Sequence, residues 1–280
     1  KEENDVVQVT ESTTDKMEPV HLDKKPEVVR VLIGRDKYKH DIYWEFGNKA
    51  LANRHLLITG TSGQGKTYSI QTMLYELARC DISSVIFDYT EGFMLQQLEP
   101  PFKESLDGKI VQKIVYSTGV PINPFKRHEV DLAGMKILEK ESDVAARLSD
   151  IFSHVYDFGA QQNAAIFEAA YNGLVKYGDN MNIRKFQQEL EEVAEINKAA
   201  NTVISKMTPF FRTVDFTEDP ELDWENTLYN DEGKVNIIQL TLFSREMQVI
   251  ITEMMLWVAC YYTKKSGSKD KQIVVHLNDA

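Results

Sequence analysis

The spacing of apolar residues changes period several times along this chain, and each change predicts a new element. Val28 to Ile33 and Ile42 to Phe46 are β-rich runs separated by Gly34, Asp36 and a lysine-rich turn, which predicts a hairpin. Leu56 to Thr59 is a shorter apolar run that reads as a buried strand. From Thr67 to Cys80 the period lengthens, with Ile70, Met73, Leu74 and Leu77 on one helical face. Ser84 to Asp88 returns to strand character. Strand, helix and strand then make a β-α-β unit with a parallel sheet, so the expected fold class is α/β.

Between Asp143 and Val214 the strand signal disappears. Val144, Leu148, Ile151, Phe152 and Val155 recur at helical spacing, as do Ile166, Phe167, Ala170 and Leu174, then Phe186, Leu190 and Val193, then Val203, Ile204, Met207 and Phe210. Four amphipathic helices in a row cannot extend a sheet, so they are expected to form an all-α subdomain inserted into the core. Val235 to Leu240 is again strand-like, Arg245 to Tyr262 predicts a long apolar helix, Lys264 to Lys271 a basic solvated loop, and Ile273 to Leu277 a last strand. The expected partition is a linker at 1–27, a first part of the core at 28–140, the helical insert at 141–215 and a second part at 216–280. The linker is polar, acidic and rich in Thr and Ser, a composition unable to order itself by burial. The chain is expected to be a fragment that stops within its core, just after the last strand.

Composition narrows the functional classes. With 280 residues, 42% hydrophobic and 27% charged, the chain suits a large globular domain. A net charge of −11 argues against coating DNA or an anionic membrane by bulk electrostatics, so any nucleic-acid contact must be local. Two distant cysteines, Cys80 and Cys260, make no disulfide framework or zinc site, which points to the cytoplasm. His40, His55, His128, His154 and His276 show no mutual metal spacing. Val249 to Tyr262, the longest apolar stretch, is too short to span a bilayer and carries Glu253, so no membrane partner is expected.

The candidate chemistry lies at Gly60-Thr61-Ser62-Gly63-Gln64-Gly65-Lys66-Thr67, which matches G-x-x-x-x-G-K-[ST] between an expected strand and an expected helix. Such a loop turns backbone N–H groups inward, and the helix opening at Lys66 adds its positive end, forming an anion cradle. Glycine is required where a Cβ would block φ > 0 or hold phosphate oxygens away. The expected nucleotide-binding set is Gly60, Ser62, Gly63, Gln64, Gly65, Lys66, Thr67 and Tyr68, with Lys66 on the β/γ-phosphates of ATP and Thr67 on Mg²⁺.

Taken together, this loop, the preceding Asn53-Arg54-His55, the segment Asp88-Tyr-Thr-Glu-Gly92-Phe, Asn123-Pro124-Phe125, the helical insert and Ile237-Ile238-Gln239-Leu240 resemble the HerA/FtsK superfamily. Within it, residues 28–280 are similar to the ATPase region of DNA-phosphorothioation-dependent restriction proteins of the DptH type. The resemblance implies a P-loop ATPase core that assembles into a hexameric ring, passes duplex DNA through its pore and works with a nuclease or other restriction subunits. It also implies an Asp ordering the Mg²⁺ shell at the end of the last strand, followed by a Glu that polarises the attacking water. Here those positions are Asn278 and Asp279. Asn278 would then act on Mg²⁺ through water, Asp279 would be the shorter catalytic acid, and hydrolysis would be slow. Asn278→Asp is accordingly expected to restore a charge and raise turnover. The other register puts Asp279 on the metal shell and Ala280 at the catalytic position.

Other residues keep two readings. Asp88 and Glu91 either contact the nucleotide site or are solvated loop acids, and Gln239 either senses a γ-phosphate or satisfies a backbone group. Arg147, Arg184 and Arg212 are candidates for a finger reaching a neighbouring subunit, or surface residues. For DNA, Lys264 to Lys271 comes before Lys126-Arg127-His128 and Arg184-Lys185. A nucleotide-gated scaffold with weak hydrolysis and a secretion-type ATPase are the rival functions.

Overall fold

The structure, a computed structural model, describes residues 30–46, 48, 50, 55–132, 134–217, 232–265 and 274–278. The expected linker 1–27 and most of the basic loop lie outside them. Lys264 and Lys265 belong to the preceding helix.

A hairpin of β1 (Val31–Arg35) and antiparallel β2 (Asp41–Trp44) comes first, with a bulge between Leu32 and Gly34. Helix α1 (Lys66–Arg79) leads to β3 (Ser84–Asp88), the short α2 (Pro100–Ser105), β4 (Ile110–Ile114) and the single turn α3 (Val115–Thr118). A second hairpin, β5 (Glu129–Leu132) and β6 (Met135–Leu138), precedes four consecutive helices. These are α4 (Glu141–Tyr156), α5 (Ala160–Tyr177), α6 (Ile183–Ile196) and α7 (Ala199–Thr213). Strand β7 (Val235–Gln239), the long α8 (Arg245–Lys265) and β8 (Val274–Asn278) follow.

β3, β4, β7 and β8 form a parallel sheet in the order β4-β7-β3-β8. All five residues of β3 and of β7 are buried, as expected for strands covered on both faces. Alternation sorts them into two cores. Val85, Phe87 and Ile238 point to one side and share a continuous apolar cluster with Val144, Leu148, Phe152, Phe186 and Phe210 of α4, α6 and α7 and with Ile250, Ile251 and Met255 of α8. Ile86, Val235 and Ile237 face the other way, against Leu74, Ala78, Phe93, Phe102 and Leu106. The helical stretch therefore packs directly on the sheet as the outer layer of an α/β/α arrangement. Asn123 staples the two, accepting from Phe125 N at 3.0 Å and donating to Met181 O at 3.2 Å.

One expectation fails. Leu56 to Thr59 form no strand, and Leu57 is 86% exposed. A strand exists by pairing, and none of the described strands pairs with this segment. Ile58 alone packs inward, beside Val31, Phe46, Met73, Leu77 and Val274.

Candidate active site at the phosphate loop

The loop has the backbone its glycines permit. Gly63 and Gly65 have φ of 81° and 78°, where any Cβ would be strained. Gly65 is the N-cap of α1 and supplies no capping side chain, so the first amides of that helix are left for an external acceptor. Lys66 Nζ donates to Gly60 O at 2.8 Å and Thr61 O at 3.1 Å, which folds its ammonium back over the loop. A phosphate would exchange these neutral acceptors for charged ones. Ser62, Gln64 and Tyr68 are exposed, and Lys66 and Thr67 are half-buried.

Behind the loop lies Asp88, one of the residues with two readings. Asp88 ends β3, is fully buried, and is in register with Gln239 of β7 and Asn278 of β8. Its Oδ1 accepts from Thr90 N (3.2 Å), Thr90 Oγ1 (3.0 Å) and Asn278 Nδ2 (2.9 Å), and its Oδ2 from Phe93 N (2.9 Å). Four donors fill the hydrogen-bonding capacity of this one buried carboxylate. Asp88 is therefore not a solvated loop acid, whereas Glu91 is exposed.

Asn278 is buried, and its amide nitrogen also lies 3.3 Å from Thr90 Oγ1. With the NH₂ spent on Asp88 and Thr90, the amide oxygen faces away from them. Gly92 shows what is there: a methyl group on its Cα would stand 3.4 Å from Asn278 Nδ2, 3.4 Å from Thr90 Oγ1 and 3.9 Å from Thr67 Oγ1. The phosphate-loop hydroxyl, the Thr90 hydroxyl and the Asn278 amide nitrogen thus lie around one point at the C-terminal edge of the sheet, with the Asp88 carboxylate bonded to that nitrogen at 2.9 Å. That is where open α/β sheets hold ligands. The Thr67 hydroxyl is an oxygen suited to a hard cation such as Mg²⁺, with phosphates and water able to supply the rest of the shell.

The same arrangement gives Asn278→Asp a consequence for stability. The negative charge is already supplied from β3, and a second carboxylate about 3 Å away would share one proton with it, as like charges so close cannot both ionise. A shared proton raises a folded-state pKa, so stability is retained at acid pH and lost as pH rises. Asn278→Asp is expected to melt lower than wild type at pH 8, by roughly 3 kcal/mol, and to recover at pH 5 or on adding Mg²⁺. Thermal melts at both pH values, with and without Mg²⁺, check this.

The loop that follows β3 is held from several sides. Tyr89 OH donates to Thr252 Oγ1 at 3.0 Å, and Gln248 Nε2 of α8 donates to Tyr89 O at 3.2 Å and Leu240 O at 3.0 Å. Gln239 Nε2 donates to Thr90 O and Thr241 Oγ1, and its Oε1 is buried with no partner. Gln239 thus satisfies a backbone group, and its second amide atom stays available beside the site.

Arg147 is not a free finger. Its side chain is 10% exposed, pairs with Glu139 at 2.9 Å and lies 3.2 Å from the Trp257 ring centroid, joining α4 to α8. Burial pulls its pKa down, opposed by Glu139. Arg184 and Arg212 are exposed. Asp279 and Ala280 lie outside the described residues. The cysteines form no disulfide, no metal-holding cluster of His, Cys, Asp or Glu occurs among the described residues, and no described helix is long and apolar enough to cross a membrane.

His276 sits on β8 between Val274 and Asn278, on the same strand face, with Nε2 buried and unpartnered. Burial pushes its imidazole from 6.5 down to about 4. The unfolded chain therefore takes up a proton that the folded chain refuses, and stability falls as pH drops through that window. Between pH 7 and pH 5 this accounts for at most about 2 kcal/mol, or roughly 4–8 °C. His276→Leu should lose that much less than wild type in matched melting curves.

No curated protein sequence matches this chain. Among solved structures it is similar to VirB4 of Thermoanaerobacter pseudethanolicus, with 14% identity and a TM-score of 0.57 over 88% of this chain and 66% of that one. At this identity the likeness is one of fold, and the chain spans just under two thirds of that protein's length. The model of the family described as "Helicase HerA, central domain" matches residues 33–257, so the chain belongs to that family and carries a P-loop ATPase core of the HerA/FtsK type.

Proposed function

We propose that this chain is the ATP-hydrolysing motor module of a cytoplasmic DNA translocase or helicase that serves DNA processing or restriction. It would work as a hexameric ring on duplex DNA beside a nuclease or other restriction subunits. The observation that carries the reading is the meeting of Thr67, Thr90 and Asn278 around Gly92 at the mouth of the phosphate loop, with Asp88 bonded to Asn278.

In this reading the backbone of Gly60, Ser62, Gly63, Gln64 and Gly65 cradles the phosphates of ATP, Lys66 neutralises the β/γ oxygens, and Tyr68 flanks the nucleotide. Thr67 and, through water, Asn278 hold Mg²⁺, which offsets phosphate charge when bound. Asp88 accepts from the Asn278 amide nitrogen at 2.9 Å and so fixes the orientation of that amide. Asp279, next along the chain, takes the proton of the attacking water.

A second reading rests on the amide at position 278. A site with no carboxylate of its own on β8, and with Asp88 already accepting four hydrogen bonds, suits a nucleotide-gated scaffold that hydrolyses weakly. Steady-state ATP turnover with and without duplex DNA separates the two. Stimulation by duplex supports the motor. Slow turnover indifferent to duplex, with tight nucleotide binding, supports the scaffold.

A further inference from the structure

The β1–β2 hairpin is an exception to the acidic character of the chain. Residues 30–44 carry Arg30, Arg35, Lys37 and Lys39 against Asp36 and Asp41, where the whole chain has 32 lysines and arginines against 43 acids. Both hairpin acids are engaged within it. Asp36 Oδ1 accepts from Tyr38 N at 2.8 Å and His40 N at 2.9 Å, its Oδ2 lies 3.1 Å from His40 Nδ1, and Asp41 pairs with Arg35 at 2.8 Å. Lys37 and Lys39 meet no carboxylate among the described residues. Lys37 Nζ lies 4.9 Å from the centroid of the Tyr38 ring, and Tyr38 is 69% exposed.

The tip is also fixed in shape. The Asp36 bonds close the turn, and Lys39 is held at φ 67°, an uncommon conformation for a residue with a side chain. At its base, Val31 is 1% exposed and packs with Met73 and Leu77 of α1, the helix that begins at the phosphate loop. An exposed, rigid Lys-Tyr-Lys tip is thus built onto the nucleotide-binding helix.

We infer that this tip is a contact for the backbone of duplex DNA. Lys37 and Lys39 each neutralise one phosphate, and the Tyr38 hydroxyl donates to a neighbouring phosphate oxygen. The inference rests on the reading that the chain acts on DNA, and it names the contact. A duplex carries about one charge per 1.7 Å of axis, so a narrow tip finds two phosphates within reach. An anionic bilayer is the poorer match, since recognition there typically takes a cluster of four to eight basic residues. A chain at −11 is also repelled by a broad negative surface.

The test is fluorescence anisotropy of a labelled random-sequence duplex with the full chain across a salt series. The variants are Lys37→Ala/Lys39→Ala, Tyr38→Phe and, for comparison, Arg184→Ala/Lys185→Ala, with melts confirming the fold. The lysine pair should make the slope of log K against log salt shallower by about 1.8. Tyr38→Phe should weaken binding without changing that slope, and the Arg184/Lys185 pair should leave the slope unchanged. Wild-type slope in the Lys37/Lys39 variant, or loss of slope in the Arg184/Lys185 variant instead, overturns the assignment while leaving the DNA reading intact. A wild-type chain that binds phosphatidylglycerol vesicles but no duplex overturns both.

Discussion

Asp88→Ala is expected to cost the fold about 3–5 kcal/mol and, with it, roughly 10 °C or more of melting temperature. The change strips the acceptor from Thr90 N, Thr90 Oγ1, Phe93 N and Asn278 Nδ2 together, in a place closed to water. Each buried donor left unpaired costs about 1–3 kcal/mol, and relaxation of the loop recovers part of the sum. Asp88→Asn should fall between the two, because its oxygen can still accept while its NH₂ meets other donors. Nucleotide-dependent stabilisation separates this role from a purely structural one. Asp88→Asn melts below wild type without ligand, and ATP with Mg²⁺ should raise its melting temperature less than that of wild type. Equal ligand-induced shifts would confine Asp88 to holding the fold.

Asp279→Asn should lower turnover by about 10²-fold or more while leaving nucleotide affinity near wild type, because positioned general-base assistance contributes 10²–10⁴-fold. An amide at this position keeps the size of the side chain and removes its capacity to take a proton. Single-turnover hydrolysis beside equilibrium ATP binding measures the two quantities separately. Unchanged turnover in a well-folded Asp279→Asn protein would take Asp279 out of the chemistry and favour the scaffold.

Much of this architecture is written locally in the sequence. The helices from Glu141 to Thr213 follow from apolar residues spaced three and four apart, β3 and β7 from short apolar runs, and the phosphate loop from its glycines, two of which take φ values that demand them. The site behind the loop was not legible in the same way. Asp88 and Asn278 stand 190 residues apart, and they meet because β8 lies beside β3 in the sheet, an order no local pattern encodes. Leu56 to Thr59 misled for a related reason: an apolar run signals a wish for burial, but strand pairing is a long-range outcome. Arg147 looks like any helix-surface cation until Trp257 and Glu139 close around it. The short α2 did carry a sign, Pro100-Pro101 at its first turn, which favours a helix start.

Calorimetric titration of ATP with Mg²⁺ into wild type and Lys66→Ala tests the nucleotide site most directly. Lys66 brings the cation that folds over the loop, and a charge-assisted phosphate contact of this kind is worth about 1.5–3 kcal/mol, or roughly 10- to 100-fold in affinity. Wild type should bind ATP in a Mg²⁺-dependent manner, and Lys66→Ala should lose that much affinity or more with the fold intact. Equal affinity in the two proteins, or no ATP binding by wild type, would contradict the assignment of this site.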